Sequence, residues 1–529
     1  MAIGLGLGYS FHPNFRLNSS LLRRVSNVGM SCVAAIEAID EPDGFNTDSV
    51  IYDERGVEGR KVGSKWKKFS SKELGITNSM ISKPTRIVLN GLKRKGYDVY
   101  LVGGCVRDLI LKRTPKDFDV LTTAELKEVT KAFSWCEIVG KRFPICHVHV
   151  GDDIVEVSSF STSARHHHHV RDSGMAFQRH DGCDEKDYSR WRNCMQRDLT
   201  INGLMFDPYV NTIYDYTGGM EDIKKAKVRT VNPANFSLVE DCARILRAIR
   251  IAARLGFRFS KEMAHAIKHL AHSVLLLDKG RHLLEMNYML AYGSAEPSLR
   301  LLWRFGLLEL LLPIQAAYFV RDGFRRRDKK SNMLLSLFSN MDKLLAPDRP
   351  CHSSLWVAIL AFHMALLDRP RDPLVVAAFS LAVHNGGDME EAIGIARRIY
   401  KPHATFYHEL SEPRSLEKKT LKREVLDLGA SVSKALSNMT DTYYVSRAMS
   451  SYPKAPYSDL VFISLHLYLK AGKIFECVNQ GKGARFVAKQ GGKIDYELLA
   501  MGSLQEVRHV FARIVFDTVY PLDLDHDYP

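Results

Sequence analysis

Apolar residues along this chain follow two rhythms. Between residues 97 and 160 they gather in short runs. Tyr97 to Val102 is one, with Val99, Tyr100, Leu101 and Val102 together, and it reads as a buried strand. Lys116 to Leu121 and Cys146 to Val150 read as two more. Ile154 to Phe160 alternates, with Val155 and Val157 on one side and Ile154, Glu156 and Ser158 on the other. Elsewhere the spacing is helical. Ser82-Lys83-Pro84 opens a helix whose apolar face is Ile87, Val88 and Leu92, and Gly96 stops it. Leu126 to Phe133 suggests another. Glu240 to Phe257 places Ile245, Ala248, Ile249, Ala252 and Leu255 on one stripe, and Glu240, Arg244, Arg247, Ile251 and Arg254 on another. Arg281 and Glu285 stand one helical turn apart, a favourable pair. Amphipathic helices are then expected over 332–345, 354–367, 373–384, 388–400, 417–437, 441–449, 457–471 and 503–518. The pattern predicts an α+β chain, with a mixed sheet first and only helices after it.

Length and charge sharpen this. At 529 residues, two to four domains are expected. An excess of 74 basic over 60 acidic residues gives +14, a surface suited to polyanions. No run reaches the roughly 18 apolar residues of a membrane span, so no membrane partner is expected. The nine cysteines form no CxxC pair, as befits free thiols in a reducing compartment. The first 36 residues hold arginines and serines but no acid. That profile suits an organellar transit peptide over residues 1–40, for chloroplast or mitochondrion with a lean to the chloroplast. A flexible linker is expected over 41–78.

The chemistry concentrates in LVGGCVRDLILKRTPKDFDVLT, residues 101–122. Gly103 and Gly104 allow a tight turn and close approach of backbone to a ligand. A helix opening after such a turn offers free N–H groups to an anion, and Arg107 adds a charged fork. Asp117 and Asp119, two apart on an extended segment, share a face. Facing a phosphate pocket they would repel unless a hard cation such as Mg²⁺ lay between them. A lone GG is only a loop signal, and a lone DxD is common on exposed strands; here they occur together, with Val106-Arg107-Asp108 between.

This block resembles the nucleotidyltransferase superfamily of bacterial-type poly(A) polymerases and CCA-adding enzymes. The resemblance rests on Gly103, Gly104, Val106, Arg107, Asp108, Asp117, Phe118, Asp119 and Thr122, and continues over about 80–345. It implies a nucleotidyltransferase head (79–230), a helical neck that binds nucleotide and RNA (231–315), and a helical body and tail (316–529) with a basic loop at 321–330. Glu156 matches the third metal carboxylate, although Ser161 stands where the family has arginine. Arg197, Asp198 and Asn202 match a block that frames ribose and triphosphate, with Gln196 and Leu199 departing from it; a capped helix start is the plain alternative. Asp215, Gly218, Gly219 and Asp222 match a hinge-like turn between head and neck. Asp241 and Arg244 match the pair that reads the base, and Arg247 lies one turn on, where it could hold phosphate or a neighbouring helix.

The implied activity is template-independent addition of AMP from ATP to RNA 3′ ends. Asp117, Asp119 and Glu156 would hold two Mg²⁺ ions. Gly103, Gly104 and Arg107 would cradle the triphosphate. The segment 295–313 favours poly(A) addition over CCA addition, so the RNA is mRNA or tRNA. A catalytically weak RNA-binding homologue is the third reading. The polar loop 161–195 contains His166 to His169, His180, Cys183 and Cys194. Its spacing matches no standard zinc motif, and an RNA-facing or regulatory loop is the expectation.

Overall fold

The computed structural model describes residues 66–140, 144–165, 184–399, 407–440, 442–455, 463–481 and 486–521. The transit-peptide segment and the run His166 to Cys183 lie outside the described residues. The short apolar runs assemble into one sheet: β1 (Lys67–Ser70), β2 (Val99–Val102), β3 (Asp119–Thr122), β4 (Cys136–Val139), β5 (Ile145–Val150), β6 (Asp153–Ser159), β7 (Leu204–Asp207) and β8 (Thr212–Asp215). Their order is β1-β8-β7-β2-β3-β6-β5-β4. β3 and β6 run parallel and the other neighbours antiparallel. β2 is buried along its whole length, which is why its sequence is continuously apolar.

One sheet face packs on the Lys83–Arg94 helix, capped as expected by the Ser82 side chain, which accepts from the Thr85 N–H. The other face carries Tyr100, Val102, Leu121, Met205 and Tyr214 against Trp191 and Cys194. Those last two lie on a helix, Glu185–Cys194, so the segment read as a loop to 195 ends in regular structure. The helix is anchored by Arg190. Its guanidinium donates to Tyr216 (2.9 Å) and Tyr100 (3.0 Å), pairs with Asp187 (2.6 Å) and lies 4.3 Å from the Tyr214 ring centroid.

Four expected boundaries change. Residues 67–70, assigned to the linker, form β1 and pair with β8; their lysines hid the strand, because an edge strand needs little apolar surface. The strand expected from Lys116 starts at Asp119, leaving Asp117 in the irregular segment before it. The helix expected from Glu240 is two helices, Ala234–Glu240 and Ala243–Leu255, with Asp241 extended between them (φ −146°, ψ 99°). The helix expected at 457–471 begins at Leu465, where Ser464 caps it, and runs to Gln480 before Gly481 at φ 80°.

The hinge-like turn is a braced corner. The Asp215 carboxylate accepts from the backbone N–H groups of Thr217, Gly218, Gly219 and Met220 at 2.8–3.1 Å. A Cβ on Gly219 would lie 2.3 Å from the Thr200 carbonyl oxygen, so only glycine fits there.

Beyond the head the chain is helical except for a two-residue strand, Arg258–Phe259, which pairs in parallel with Lys227–Val228, so the neck is not wholly helical as expected. The Arg281–Glu285 pair forms, at 3.0 Å. Ser353–Asp368 and Pro373–His384 are apolar nearly all round and form the centre of the body. Phe362, Phe379, Phe475 and Phe511 lock it, with ring centroids 5.2–5.9 Å apart, and so tie the last helix, Leu504–Val519, to the middle of the chain. No helix among the described residues is long and apolar enough to cross a membrane.

A half-buried carboxylate joins neck to body. Asp342 accepts from the N–H groups of Ala295 (2.8 Å) and Glu296 (2.9 Å), at the start of the Ala295–Arg304 helix. Burial nonetheless pushes its carboxyl up to about 7, with Glu296 adding to the push. Because the folded value lies above the ordinary one, the native state binds the extra proton. This group's contribution to stability is therefore present below pH about 4 and is lost as pH rises to about 7. Urea midpoints measured across that range should fall less steeply for Asp342→Asn than for the parent. Parallel curves would show that Asp342 does not titrate in this window.

Candidate active site

The strand-turn-helix block builds the site around Gly103. Its backbone sits at φ 78°, ψ −139°, open to glycine and strained for other residues. A Cβ there would lie 2.9 Å from Arg197 Nη1 and 3.2 Å from Asp119 Oδ2. Gly103 thus leaves the gap in which a cation and an anion face each other. The following helix, Gly104–Ile110, is only seven residues long, and its N-terminus alone defines no anion site.

Sheet register brings the carboxylates together. Val120 pairs with Val157 across parallel β3 and β6, so one residue back Asp119 and Glu156 stand side by side. Both point away from the buried valine face. Burial pushes the Asp119 carboxyl up to about 6; Asp117 and Glu156 add to this and Arg197 opposes it. The three carboxylates and Arg197 therefore share one electrostatic field. They do not form the expected three-carboxylate metal set as they stand: among the described residues no group of three or more His, Cys, Asp or Glu side chains is drawn together tightly enough for a metal ion. Glu156 lies across from His147, its Oε1 3.9 Å from Nε2, and Asp119 faces Arg197. The donor chemistry still fits a hard dication, since two aspartates with crowded negative charge are stabilised by one.

Arg107, expected on the triphosphate, is turned inward. Its Nε and Nη2 hold Asp108 Oδ1 at 2.9 and 2.8 Å, and its Nη1 donates to Asn202 Oδ1 at 2.7 Å. The Asn202 amide donates to Asp198 Oδ1 (3.2 Å), and Asp198 Oδ2 accepts from Arg247 (3.1 Å). Arg254 lies 3.5 Å from Asp108 Oδ2. Since Arg247 and Arg254 both stand on the Ala243–Leu255 helix, these contacts close a ring. Against the upward push of burial, Arg247 and the N–H groups of Asn202 and Leu199 hold Asp198 below its ordinary value. Asp198 and Asn202, expected around the ribose, are thus buried bracing groups, as is Arg107.

Arg244 and Asp241 do come together, but across the helix break. Arg244 Nη1 donates to Ser237 Oγ (2.9 Å) and Glu240 Oε2 (2.8 Å), and its Nε lies 3.9 Å from Asp241 Oδ2. Asp241 Oδ1 accepts from the Ala243 N–H and keeps a half-exposed carboxylate.

Residues not singled out by motif connect head and neck beside Asp117. Lys116, beside Asp117, lies 5.2 Å from the Tyr288 ring centroid and 5.3 Å from that of Tyr292, bridging head and neck. Glu285 binds Arg250 at 3.1 Å and Arg281 at 3.0 Å. The seven-residue spacing of Arg247 and Arg254 was a visible signal of a common face; the tyrosines carried none.

Residues 99–229 match the poly A polymerase head domain, and 256–319 match a region described as the probable RNA and SrmB-binding site of polymerase A. Over 362 residues the chain is 30% identical to poly(A) polymerase I of Escherichia coli, covering 68% of this chain and 74% of that protein. The chain belongs to the family of bacterial poly(A) polymerases and CCA-adding enzymes. It is also 34% identical to poly(A) polymerase I of Haemophilus influenzae over 49% of this chain, spanning 57% of that protein. A CCA-adding enzyme of Geobacillus thermodenitrificans is 35% identical over 42% of this chain and 52% of its own length. Among solved structures, the match to the Bacillus stearothermophilus CCA-adding enzyme in complex with CTP covers 76% of this chain and 94% of that one, at 21% identity and a TM-score of 0.41.

The ring makes a stability prediction in this family member. Asp108→Ala removes the shared partner of Arg107 and Arg254, leaving the buried Arg107 with Asn202 alone and the half-buried Arg254 without its acid. Breaking a buried pair from one side costs about 3–5 kcal/mol. Chemical denaturation should register a loss of that order; a loss under about 1 kcal/mol would show that Asp108 is not the anchor.

Proposed function

We propose that the chain is a template-independent RNA nucleotidyltransferase that adds AMP from ATP to RNA 3′ ends. The observation that carries this is Asp119 facing Arg197 across the gap at Gly103, with Glu156 beside Asp119 in the sheet register and Asp117 two residues before it. In the reaction the RNA 3′-hydroxyl oxygen bonds to the α-phosphorus of ATP and pyrophosphate leaves. Asp117 and Asp119, with Glu156 alongside, would hold two Mg²⁺ ions, which lower the pKa of the attacking hydroxyl and stabilise the departing charge. Gly103 gives the phosphates room, and Arg197 faces them in place of Arg107. Asp241 would accept from the adenine amine while Arg244 donates to the ring nitrogen beside it. The ring of Asp108, Arg107, Asn202 and Asp198 holds the Ala243–Leu255 helix, and with it Arg247, against the turn.

The poly(A) polymerases of Escherichia coli and Haemophilus influenzae align with 68% and 49% of the chain and the CCA-adding relative with 42%, which supports poly(A) addition. CCA addition is the second reading, favoured by the 35% identity within that shorter span. Purified protein given labelled RNA and each nucleotide in turn separates them. The expected result is a homopolymer with ATP alone. A CCA triplet would transfer the assignment to the second reading, and no extension would reject both.

Asp117→Ala or Asp119→Ala should abolish transfer while RNA binding persists. Loss of a metal clamp removes several kcal/mol of transition-state stabilisation, about 3 or more. Full activity in either purified variant would remove the aspartates from the chemistry.

Arg244→Ala should narrow the ATP-over-GTP preference in kcat/KM by about tenfold, because each buried hydrogen bond is worth about 1–3 kcal/mol. If Arg244 only ties Ser237 and Glu240 to its helix, the melting temperature will fall and selectivity will stay.

A further inference from the structure

The segment between the Pro313–Arg321 and Met333–Leu344 helices is dense in positive charge, yet its residues do two different things. Arg326 is structural. Its guanidinium lies 4.1 Å from the Trp303 ring centroid, donates to the Trp303 carbonyl and pairs with Glu309. Trp303 Nε1 in turn donates to the Phe324 carbonyl at 3.1 Å. Asp328 is turned into the loop, where its Oδ2 accepts from the Arg325 N–H at 2.9 Å and its carbonyl accepts from Arg300 at 3.0 Å. The loop's shape is therefore fixed from inside, and two nearby acids, Glu309 and Asp328, are engaged in fixing it.

Asp322, next to the end of the first helix, is exposed; the other outward charges of the segment are cationic. Arg325, Arg327, Lys329 and Lys330 are exposed, as is Arg304 on the neighbouring helix. None of these five forms an ion pair among the described residues. Arg304 and Arg327 stand close enough that, after burial, the second charge disfavours the first. No large apolar side chain from 295 to 330 is exposed. A protein interface would place an apolar core in such a patch, and a membrane contact would need apolar residues to insert. A preshaped surface of like charges with no apolar component suits a polyanion backbone.

We propose that Arg304, Arg325, Arg327, Lys329 and Lys330 form a phosphate-binding surface that holds the RNA backbone away from the reacting end. The inference rests on the reading that the substrate is RNA. It assigns a site beyond the matched segment 256–319, which contains only Arg304 of the five. Binding there is by charge, so it is indifferent to sequence and sensitive to salt.

The test is direct RNA binding by the full chain, which needs no catalysis. A labelled, unstructured RNA is titrated at several salt concentrations against the parent and a variant carrying R325Q, R327Q, K329Q and K330Q. Each lost contact should reduce the slope of log affinity against log salt by about 0.7, so a total near 2–3 is expected. Extension of a primer only a few nucleotides long, and KM for ATP, should be unchanged. A companion variant with R325K and R327K keeps the charge and should keep the slope. A melting curve shows that each variant is folded. Unchanged slope and affinity in the folded glutamine variant would overturn the proposal, including the case in which the patch proves to bind a protein instead. Failure of the parent to extend any RNA would reject the enzymatic reading while leaving the binding result to stand or fall by itself.

Discussion

Everything in the catalytic half depends on one buried polar ring. Asp108 and Arg107 leave the glycine turn, Asn202 and Asp198 enter from the next block, and Arg247 and Arg254 close it from the neck helix. Two carboxylates, one amide and the Arg107 guanidinium are buried here, and the guanidiniums of Arg247 and Arg254 are half-buried. Such a set is tolerable only if nearly every lone pair and proton finds a partner, because an unpaired member costs several kcal/mol, about 3–5. An apolar patch could give equal stability. It could not fix the rotation of the neck helix about its axis to a hydrogen-bond length. With Arg247 and Arg254 two turns apart and each held by a different aspartate, that helix has one register against the head.

This constraint explains what was legible in the sequence and what was misread. The blocks around Arg107, Asp198 and Arg247 could be found and ordered because charged residues amid apolar runs stand out. Their roles could not, because a motif gives residue type and spacing but not which way a guanidinium turns. Arg107 looked like a phosphate ligand; Asn202 and Asp108 take its hydrogen bonds instead. The body helices were readable where one face is apolar, as at Leu504–Val519. β1 was not, since a lysine-bearing edge strand has no periodic signal, and its partner β8 lies some 140 residues away. The break at Asp241 was hidden for another reason. The apolar stripe is continuous through the second helix, and only the Asp241 side chain bonding the Ala243 N–H marks the new start.

The carboxylates illustrate how topology does chemical work. β3 and β6 are the parallel pair in an otherwise antiparallel sheet. An antiparallel partner entering by a short hairpin would reverse the direction in which Glu156 follows its strand. The parallel crossover, which includes the β4–β5 hairpin, delivers Glu156 beside Asp119 on the face opposite the valines. Burial raises Asp119 to about 6 even with Arg197 adjacent, and the charge crowding that follows from that register adds to the rise. The sheet thus creates an electrostatic demand that its own side chains leave partly unmet.

The same accounting applies to the basic surplus. A net charge of +14 says little about affinity until the inward-facing cations are set aside. Arg107, Arg190, Arg326 and Arg371 are held by carboxylates inside the structure, and Arg508 by backbone carbonyls. These residues build helix contacts, for which the planar five-donor guanidinium is better suited than lysine. Charge available to a partner is what remains exposed without an acid beside it. In the segment 321–330 both kinds alternate, and Arg326 faces Trp303 between Arg325 and Arg327, which face solvent. The inward arginine fixes the backbone from which the outward ones project, so their spacing is set before any ligand arrives and little ordering entropy remains to be lost on binding.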